Sequence, residues 1–416
     1  MFLPFVAVYY LAFLFRNINA TIAGPLMSEF GLAAGDVGLL TSVYYLTFAV
    51  AQLPIGILLD RCGPRRVQSV VLVAAALGAA VFAISDHYLL LLGGRALIGL
   101  GVAAAMTAGM KALVEWFPRE RVPLLSGLMV TFGAMGALTA TLPADFLMGS
   151  MGWRGLFELL AIASAGCVLL IYLVVPEAPA VTPVAGEPVT NGLRMIYADL
   201  RFWRLAPLSA TCIGTAWALQ GLWAAPWLSD VEGLDRAGLL RYLFVMAIAL
   251  SAGALLLGVT ADRLSRRGVR PRVLFGLVAT VFIVAQLALI LRVPIPSYIP
   301  WAVVAAVGAG TVLSYAILAE YFPKELAGRA NAALNLFHIG GAFVVQYMTG
   351  LVVQFWTPTD GHYPDIAYQT AFACNIGLQI AAAIWFFSNL GRDTLPKNAR
   401  RVPITFAANS SIIRTG

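Results

Sequence analysis

Charged residues are scarce in this chain. They make up 11% of its 416 residues, whereas hydrophobic residues make up 60%. A soluble globular domain carries about 25% charged residues, so most of this protein's surface is expected to face something other than water. The scarcity of charge therefore excludes an ordinary soluble domain.

Residues typical of metal, redox and catalytic sites are also few. There are four single cysteines and three histidines far apart in sequence: Cys62, Cys167, Cys212, Cys374, His87, His338 and His362. Their spacing matches no metal or redox motif, and no Gly-x-x-x-x-Gly-Lys-Ser/Thr loop is present to bind ATP. We expect no catalytic site, no metal and no cofactor, and the chain is predicted not to be an enzyme.

Long apolar runs are what the sequence has instead. Runs of about 20 residues are long enough to cross a bilayer as helices, and they lack the period-two alternation of a membrane barrel. The predicted spans are residues 3–24, 37–58, 67–85, 89–112, 124–147, 157–175, 205–228, 239–260, 273–292, 300–319, 331–354 and 367–388. The first lacks a basic leader and carries Arg16, so we expect it to be retained rather than cleaved. The chain is thus predicted to be an all-α integral membrane protein with 12 transmembrane helices.

The lysines and arginines predict the orientation of these spans. Of the 27 basic residues, three lie within spans and 20 fall on the side that carries both termini. The opposite side has only Arg154, Arg236, Arg241 and Arg292. Because short cytoplasmic loops carry the excess of lysine and arginine, both termini are predicted to be cytoplasmic. The net charge of +7 therefore indicates membrane topology rather than nucleic-acid binding.

Three sequence patterns occur twice, in the same order. Pro25-x-x-Ser-Glu29 recurs as Pro226-x-x-Ser-Asp230, and Gly56-x-x-x-Asp60-Arg61 recurs as Gly258-x-x-x-Asp262-Arg263. The third pair is Glu115-Trp-Phe-Pro118 and Glu320-Tyr-Phe-Pro323. Their nearly constant offsets predict two parallel repeats of six helices, pseudo-symmetric bundles in one membrane.

The same motifs carry a resemblance to the major facilitator superfamily. Gly56-Ile-Leu-Leu-Asp60-Arg61-Cys-Gly63-Pro-Arg65-Arg66 resembles the family's signature between its second and third helices. Arg95-x-x-x-Gly99-x-Gly101 resembles its fourth-helix signature. The resemblance implies the family's fold and a substrate site at the midplane between the halves.

The expected domain organisation follows from the repeats. Residues 1–176 are predicted to form one six-helix bundle and residues 205–390 the other. Residues 177–204 form a cytoplasmic linker, rich in proline and alanine over 176–191, and residues 391–416 a cytoplasmic tail.

The repeated Asp-Arg motif implies a conformational latch. In the family, such contacts hold the outward-facing state and break when the cytoplasmic side opens. We assign that role to Asp60, Arg61, Arg65, Asp262 and Arg263. For the arginines, the alternative is that they only reflect the enrichment of basic residues in cytoplasmic loops.

Arg16 is the leading candidate for substrate binding. It lies past the centre of the first span, where a charge costs about 2.5–3.5 kcal/mol on insertion scales, so it should face a cavity or a partner. One interpretation is an arginine that grips a carboxylate or phosphate, with Asn19 one turn away. The other is a structural pair with Asp145 or Glu158.

Four further residues extend this predicted substrate site: Tyr44, Trp217, Gln220 and Asn335. The repeat places Trp217 and Gln220 opposite Arg16 and Asn19. Trp217 is central enough to line the cavity, whereas Trp223 and Trp227 are expected in the lipid-facing aromatic belt.

Two residues are candidates for proton coupling. Histidine titrates near physiological pH, so His338 on the eleventh span can carry a proton, or it can simply bond a neighbouring helix. Arg95 has three open roles: substrate binding, proton coupling, or a structural pair with an acid.

The function expected from the sequence is secondary transport of a small solute by alternating access. The preferred form is uptake of a small organic anion with a proton or another ion, by a monomer in the cytoplasmic membrane. The alternative is an efflux antiporter for drugs or metabolites, although the family's Gly-Pro pair is missing from the fifth span. A transporter-like ligand sensor is a third hypothesis, disfavoured by the short linker and tail.

Cysteine labelling tests the predicted orientation. In a chain whose four cysteines are replaced by alanine, Ala185→Cys and Thr405→Cys should resist an impermeant thiol reagent added to intact cells. Asp360→Cys, predicted to lie in an outer loop, is the matched control and should react. Efficient labelling at 185 or 405 would reverse the assignment.

Overall fold

The computed structural model describes residues 2–118, 120–177 and 189–388. The centre of the predicted linker and the predicted tail, residues 391–416, lie outside these ranges. The described chain is helical apart from short connections and one isolated bridge, Thr359 to His362.

Sixteen α-helices are found in the described ranges. The first seven are α1 Phe2–Asn17, α2 Asn19–Phe30, α3 Ala34–Ala83, α4 Tyr88–Val102, α5 Ala105–Trp116, α6 Val122–Thr139 and α7 Leu142–Val174. Then come α8 Val189–Ala198, α9 Leu200–Ala218, a π-helical turn Leu219–Trp223, and α10 Ala224–Asp230. The last six are α11 Arg236–Arg266, α12 Pro271–Ile290, α13 Tyr298–Val307, α14 Thr311–Tyr321, α15 Lys324–Val353 and α16 Asp365–Phe387.

The helices follow the predicted spans in order, but few are single unbroken crossings. Seven helical stretches of the described chain are long and apolar enough to span a membrane, or eight when the bent pair α1–α2 counts as one. Helix α3 has 50 residues, about 75 Å at the rise of an α-helix, and must hold more than one crossing. Gly63, with φ of 75°, divides it between two predicted spans. The number twelve itself stays a prediction.

Several helices extend beyond the predicted spans. Helical structure continues from the first span to Phe30, because Pro25 lies within α2 without ending it. Helix α9 begins at Leu200, before the predicted seventh span, and the side chain of Asp199 caps it by accepting a hydrogen bond from the Arg201 backbone. Helix α8 and this first turn occupy the described part of the predicted linker.

The helix breaks repeat between the two halves of the chain. The bend at Ile18, where α1 and α2 meet at 46°, corresponds to the π-helical turn beginning at Leu219. The interruption at residues 103–104 corresponds to that at residues 308–310. These offsets are the same 201 and 205 residues that separate the repeated motifs, so the two halves share the interruptions as well as the sequence patterns.

The two halves, α1–α7 and α9–α16, meet mainly at one end of the molecule. We call the end with Glu29 and Asp230 the acidic end and the end with Asp60 and Asp262 the basic end. Within the described ranges, the hydrogen bonds and ion pairs between halves lie at the acidic end: Arg236 Nε donates to Asp145 Oδ1 at 2.7 Å, and the Ala34 backbone donates to the Tyr363 hydroxyl. Within the described ranges, such bonds therefore join the halves at the acidic end, beside a cavity that both halves line, and not at the basic end.

Small residues allow this close approach. A Cβ atom on Gly350 of α15 would lie 2.6 Å from the carbonyl oxygen of Ala34 in α3. One on Gly38 would lie 3.2 Å from the carbonyl oxygen of Gln346. The backbones of α3 and α15 thus touch where larger residues would hold the halves apart.

Gly350→Ala should open the acidic end. The added methyl group has no room against the Ala34 backbone, so the halves must separate there. Spin labels at Met151 and Phe355, both exposed at this end, should move apart. Gly340→Ala is the matched control in the same helix, because a Cβ there meets nothing within 4 Å. Unchanged distances in a folded Gly350→Ala protein would contradict this account of the closure.

Candidate functional site

The bend between α1 and α2 is held by polar side chains. At the end of α1, the Asn17 side-chain amide donates to the Phe13 carbonyl at 2.8 Å. Arg95 Nη1 donates to the Phe15 carbonyl at 3.1 Å. Carbonyls in the last turn of a helix lack partners within it, and a cation there is favourable. Arg16 lies two residues before the bend, near the middle of helical residues 2–30.

The Arg16 guanidinium has aromatic neighbours but no acidic partner. Its Cζ lies 4.1 Å from the Phe13 ring centroid and 4.9 Å from that of Trp217, on the opposite half. The alternative pairing with Asp145 is wrong, because that carboxylate binds Arg236, and Glu158 is exposed. Across the described ranges, no carboxylate lies within ion-pair distance of Arg16, which remains half-buried.

Trp217, which belongs to the other half, faces Arg16, and a hydrogen bond fixes its orientation. Its indole N–H donates to the Gly308 carbonyl at 3.0 Å. A Cβ atom on Gly308 would lie 3.3 Å from the indole ring, so glycine leaves space for it. On its other side, the indole meets the His338 ring edge-on, with centroids 6.3 Å apart.

His338 and Asn335 lie on this same side of the site, as their spacing predicts. The imidazole is fully buried; its Nε2 lies 2.6 Å from the Ser209 hydroxyl, and its Nδ1 has no partner. Asn335 is half-buried and accepts a hydrogen bond from the Tyr315 hydroxyl at 3.3 Å. The Tyr315 ring lies 6.0 Å from the imidazole.

The other predicted substrate residues are buried. Asn19, Tyr44 and Gln220 are each less than a tenth exposed, and the Asn19 side-chain oxygen has no partner. The Tyr44 hydroxyl donates to the Ala12 carbonyl at 3.4 Å. Gln220 lies in the π-helical turn, a local irregularity that is frequent at functional sites.

Sequence reasoning missed several neighbours of the site: Phe13, Ser209 and Tyr315. Phe13 is three residues before Arg16, so helical spacing was a usable signal. No comparable signal marks Ser209 or Tyr315, whose proximity to His338 comes from helix packing.

Arg95 is enclosed by aromatic rings. It is fully buried, with Cζ 5.0 Å from the Phe82 centroid and 5.3 Å from that of Phe157. Besides the bond to Phe15, its Nε and Nη2 have no partner. Across the described ranges it meets no acid, so of its three predicted roles the structural acid pair is absent.

The predicted latch residues contact their own half. Lys111 Nζ donates to Asp60 at 2.9 Å, and Arg65 donates to the Tyr172 carbonyl at 2.7 Å. Asp262 pairs with Arg266 one turn later at 3.0 Å, while Arg61 and Arg263 are exposed. These residues do not join the halves within the described ranges.

Trp223 and Trp227 do not form the predicted lipid-facing belt. Both are almost fully buried. Trp223 donates to the Gln346 carbonyl at 3.0 Å, and Trp227 stacks on Phe372 with centroids 4.8 Å apart. The prediction was wrong because both rings lie on the face of their span turned toward α15 and α16. Among the described residues, no cluster of three potential metal ligands exists.

Comparison with known proteins agrees with this architecture. The family model of the Major Facilitator Superfamily matches residues 5–345. The Probable sulfoacetate transporter SauU of Cupriavidus necator is 23% identical over 298 residues, 68% of this chain and 69% of that one. The Probable L-galactonate transporter of Escherichia coli is 26% identical over 258 residues, 58% and 57% of the two chains.

A solved structure shows the same fold. A bacterial homologue of the human lysosomal transporter Spinster, in an inward-facing and unoccupied conformation, superposes with a TM-score of 0.75. The alignment covers 93% of this chain and 95% of that one, at 18% sequence identity.

Asp60→Asn should favour the conformation that is open at the basic end. If Asp60 latches the halves in the closed form, losing a charge-assisted bond costs that form about 1.5–3 kcal/mol, a shift of about tenfold or more. Spin labels at Cys62 and at Arg267→Cys, in a chain without other cysteines, report the distance. Asp86→Asn, at the acidic end, is the control. An unchanged distance distribution would mean that Asp60 serves another purpose.

Proposed function

Because the chain belongs to the Major Facilitator Superfamily, we propose that it takes up a small organic anion by alternating access, coupled to a proton or another ion. The observation that carries this proposal is the unpaired guanidinium of Arg16 between the two halves. The relatives described as carriers of sulfoacetate and L-galactonate, both organic anions, agree with this class of substrate.

Placing the charged Arg16 side chain inside a membrane span is energetically costly. A guanidinium at the bilayer centre costs about 2.5–3.5 kcal/mol on insertion scales unless a cavity or a partner receives it. Phe13 and Trp217 supply cation–π contacts, but aromatic faces accept none of its five N–H donors by ordinary hydrogen bonds. A bound carboxylate satisfies two donors at once and neutralises the charge. The site is therefore suited to an anionic substrate.

The predicted substrate residues divide by accessibility. Arg16, Trp217 and Asn335 are half-buried and face the opening between the halves, so they meet the anion first. Asn19, Tyr44 and Gln220 lie deeper. We assign them to contacts made when the acidic end opens and the helices around the bend rearrange.

Orientation assigns a direction to the opening. The basic end carries the excess of arginine and belongs to the cytoplasm, so the conformation described above is open to the cytoplasm. Closing that end brings Asp60, Arg61, Arg65, Asp262 and Arg263 toward the other half, where they act as the latch. The Arg236–Asp145 ion pair, which joins the halves at the acidic end, must break for the outside to open.

His338 and Arg95 are the candidates for coupling. His338 contacts both Trp217 and Tyr315, so a proton on its ring changes the charge beside the substrate. Arg95 binds the Phe15 carbonyl next to Arg16, so its bond to the bend links substrate occupancy to the shape of the first span. Either residue thus connects the anion site to a second event.

Substitution of Arg16 tests the proposal. Arg16→Lys keeps the charge but loses the planar fork that grips two oxygens, so anion affinity should fall about tenfold. Arg16→Gln removes both charge and fork and should weaken binding on the order of a hundredfold or more. Isothermal titration with a panel of organic anions measures both effects.

The control is Arg241→Gln, an exposed arginine at the acidic end. It should leave affinity unchanged, and melting curves of all three variants should match the wild type. Wild-type affinity for every bound anion in Arg16→Gln would remove the anion site from consideration.

A further inference from the structure

The site around Arg16 is lined more by rings than by polar groups. Phe13 and Trp217 flank the guanidinium, and the Tyr9 ring packs against Phe13 with centroids 5.0 Å apart. On the opposite wall, Tyr315 and His338 continue the aromatic surface from Trp217. Phe13, Trp217 and Tyr315 are all half-buried rather than fully enclosed. Beyond its carboxylate, a ligand held at Arg16 therefore meets aromatic faces.

Among the half-buried residues of the site, few polar groups are free to bind the rest of a ligand, and the unpartnered Asn19 oxygen and Tyr45 hydroxyl are more deeply buried. The Thr211 hydroxyl, also partly exposed, is occupied by the Pro207 carbonyl at 2.8 Å. The Asn335 oxygen is taken by Tyr315, which leaves its amide N–H groups as the available donors across from Arg16. Each buried hydroxyl without a partner costs about 1–3 kcal/mol, so this site disfavours a polyhydroxylated acid.

We infer that the substrate is an aromatic monocarboxylate. This inference rests on the proposed function. The carboxylate binds the N–H edge of Arg16, the ring lies against Trp217, and a hydrogen-bonding substituent opposite the carboxylate points to Asn335 and Tyr315. Arg16 is half-buried whereas Arg95 is fully enclosed, so one cation is left to pair with one negative charge on the ligand, and the rings set a flat apolar body.

The geometry of Trp217 supports this placement. The Trp217 ring lies near both ends of the site. Its centroid is 4.9 Å from Arg16 Cζ and 6.3 Å from the centroid of the His338 ring. The bond from its N–H to Gly308 fixes the indole plane before the ligand arrives. A preformed flat wall favours a flat ligand, because little side-chain freedom is lost on binding. Aromatic pairs also gain about 0.5–1.5 kcal/mol beyond their buried area.

Three singly charged anions distinguish an aromatic substrate from a saturated cyclic one and from a polyhydroxylated one. Benzoate is flat, cyclohexanecarboxylate has the same size but a puckered saturated ring, and gluconate is a polyhydroxylated chain. Isothermal titration on the full-length protein should give the tightest binding for benzoate. Its preference over cyclohexanecarboxylate should be about two- to tenfold, the range expected for one aromatic contact.

Trp217→Leu should remove that preference while cyclohexanecarboxylate still binds. Trp385→Leu, which alters an exposed tryptophan in α16, is the matched control and should keep it. Because loss of the indole could disturb packing around Gly308, Phe13→Leu provides a second test on the other half and should reduce the same ratio.

The substituent end is tested with 4-hydroxybenzoate. It should bind several-fold more tightly than benzoate to the wild type, and Asn335→Leu should abolish this difference. Equal affinities for benzoate and cyclohexanecarboxylate, or tighter binding of gluconate, would overturn the aromatic class and leave the anion site of Arg16 standing. Loss of all anion binding in Arg16→Gln together with a ratio unchanged in Trp217→Leu would likewise overturn the aromatic class alone.

Discussion

A guanidinium in an apolar helix, without an acidic partner among the described residues, is the constraint on which this structure depends. A charge within a membrane span is tolerated only beside a cavity or a counter-charge, and the described residues supply no carboxylate for Arg16. The first span bends at Ile18, where Arg95 donates to the Phe15 carbonyl and the Asn17 side chain donates to the Phe13 carbonyl. Trp217 on the other half completes the surroundings of Arg16, so both halves share one charge.

The contact between halves turns this site into a transport pathway. Small residues let α3 and α15 touch at the acidic end, and the Arg236–Asp145 pair adds an ion pair there. At the basic end, Asp60 and Asp262 bind residues of their own half. In the proposed mechanism the two ends close in turn, and because the site lies between them, closing one end exposes it to the other. A ligand biases this equilibrium only by binding the two forms differently.

Much of this could be predicted from the sequence, and the rest could not for physical reasons. Arg16 stood out because charge is rare in an apolar run, and the repeated Asp60 and Asp262 motifs identified the family and its two halves. The prediction for Trp223 and Trp227 was wrong, since apolar composition does not tell which face of a span meets lipid and which meets protein. The partners of His338 could not be predicted either, because Ser209 and Tyr315 belong to other helices and only the packing of those helices brings them close. The helix breaks at Ile18 and Leu219 left no clear local signal, because tertiary contacts hold them.

The central claim is that the unpaired Arg16 receives the carboxylate of an aromatic substrate between the halves. A crystal structure of the protein with 4-bromobenzoate tests it most directly, since anomalous scattering locates the bromine independently of the carboxylate. The account predicts carboxylate oxygens within hydrogen-bond distance of the Arg16 guanidinium, the ring against Trp217, and bromine beside Asn335 and Tyr315. Bromine found elsewhere in the protein, with Arg16 in contact only with protein or solvent, would contradict it.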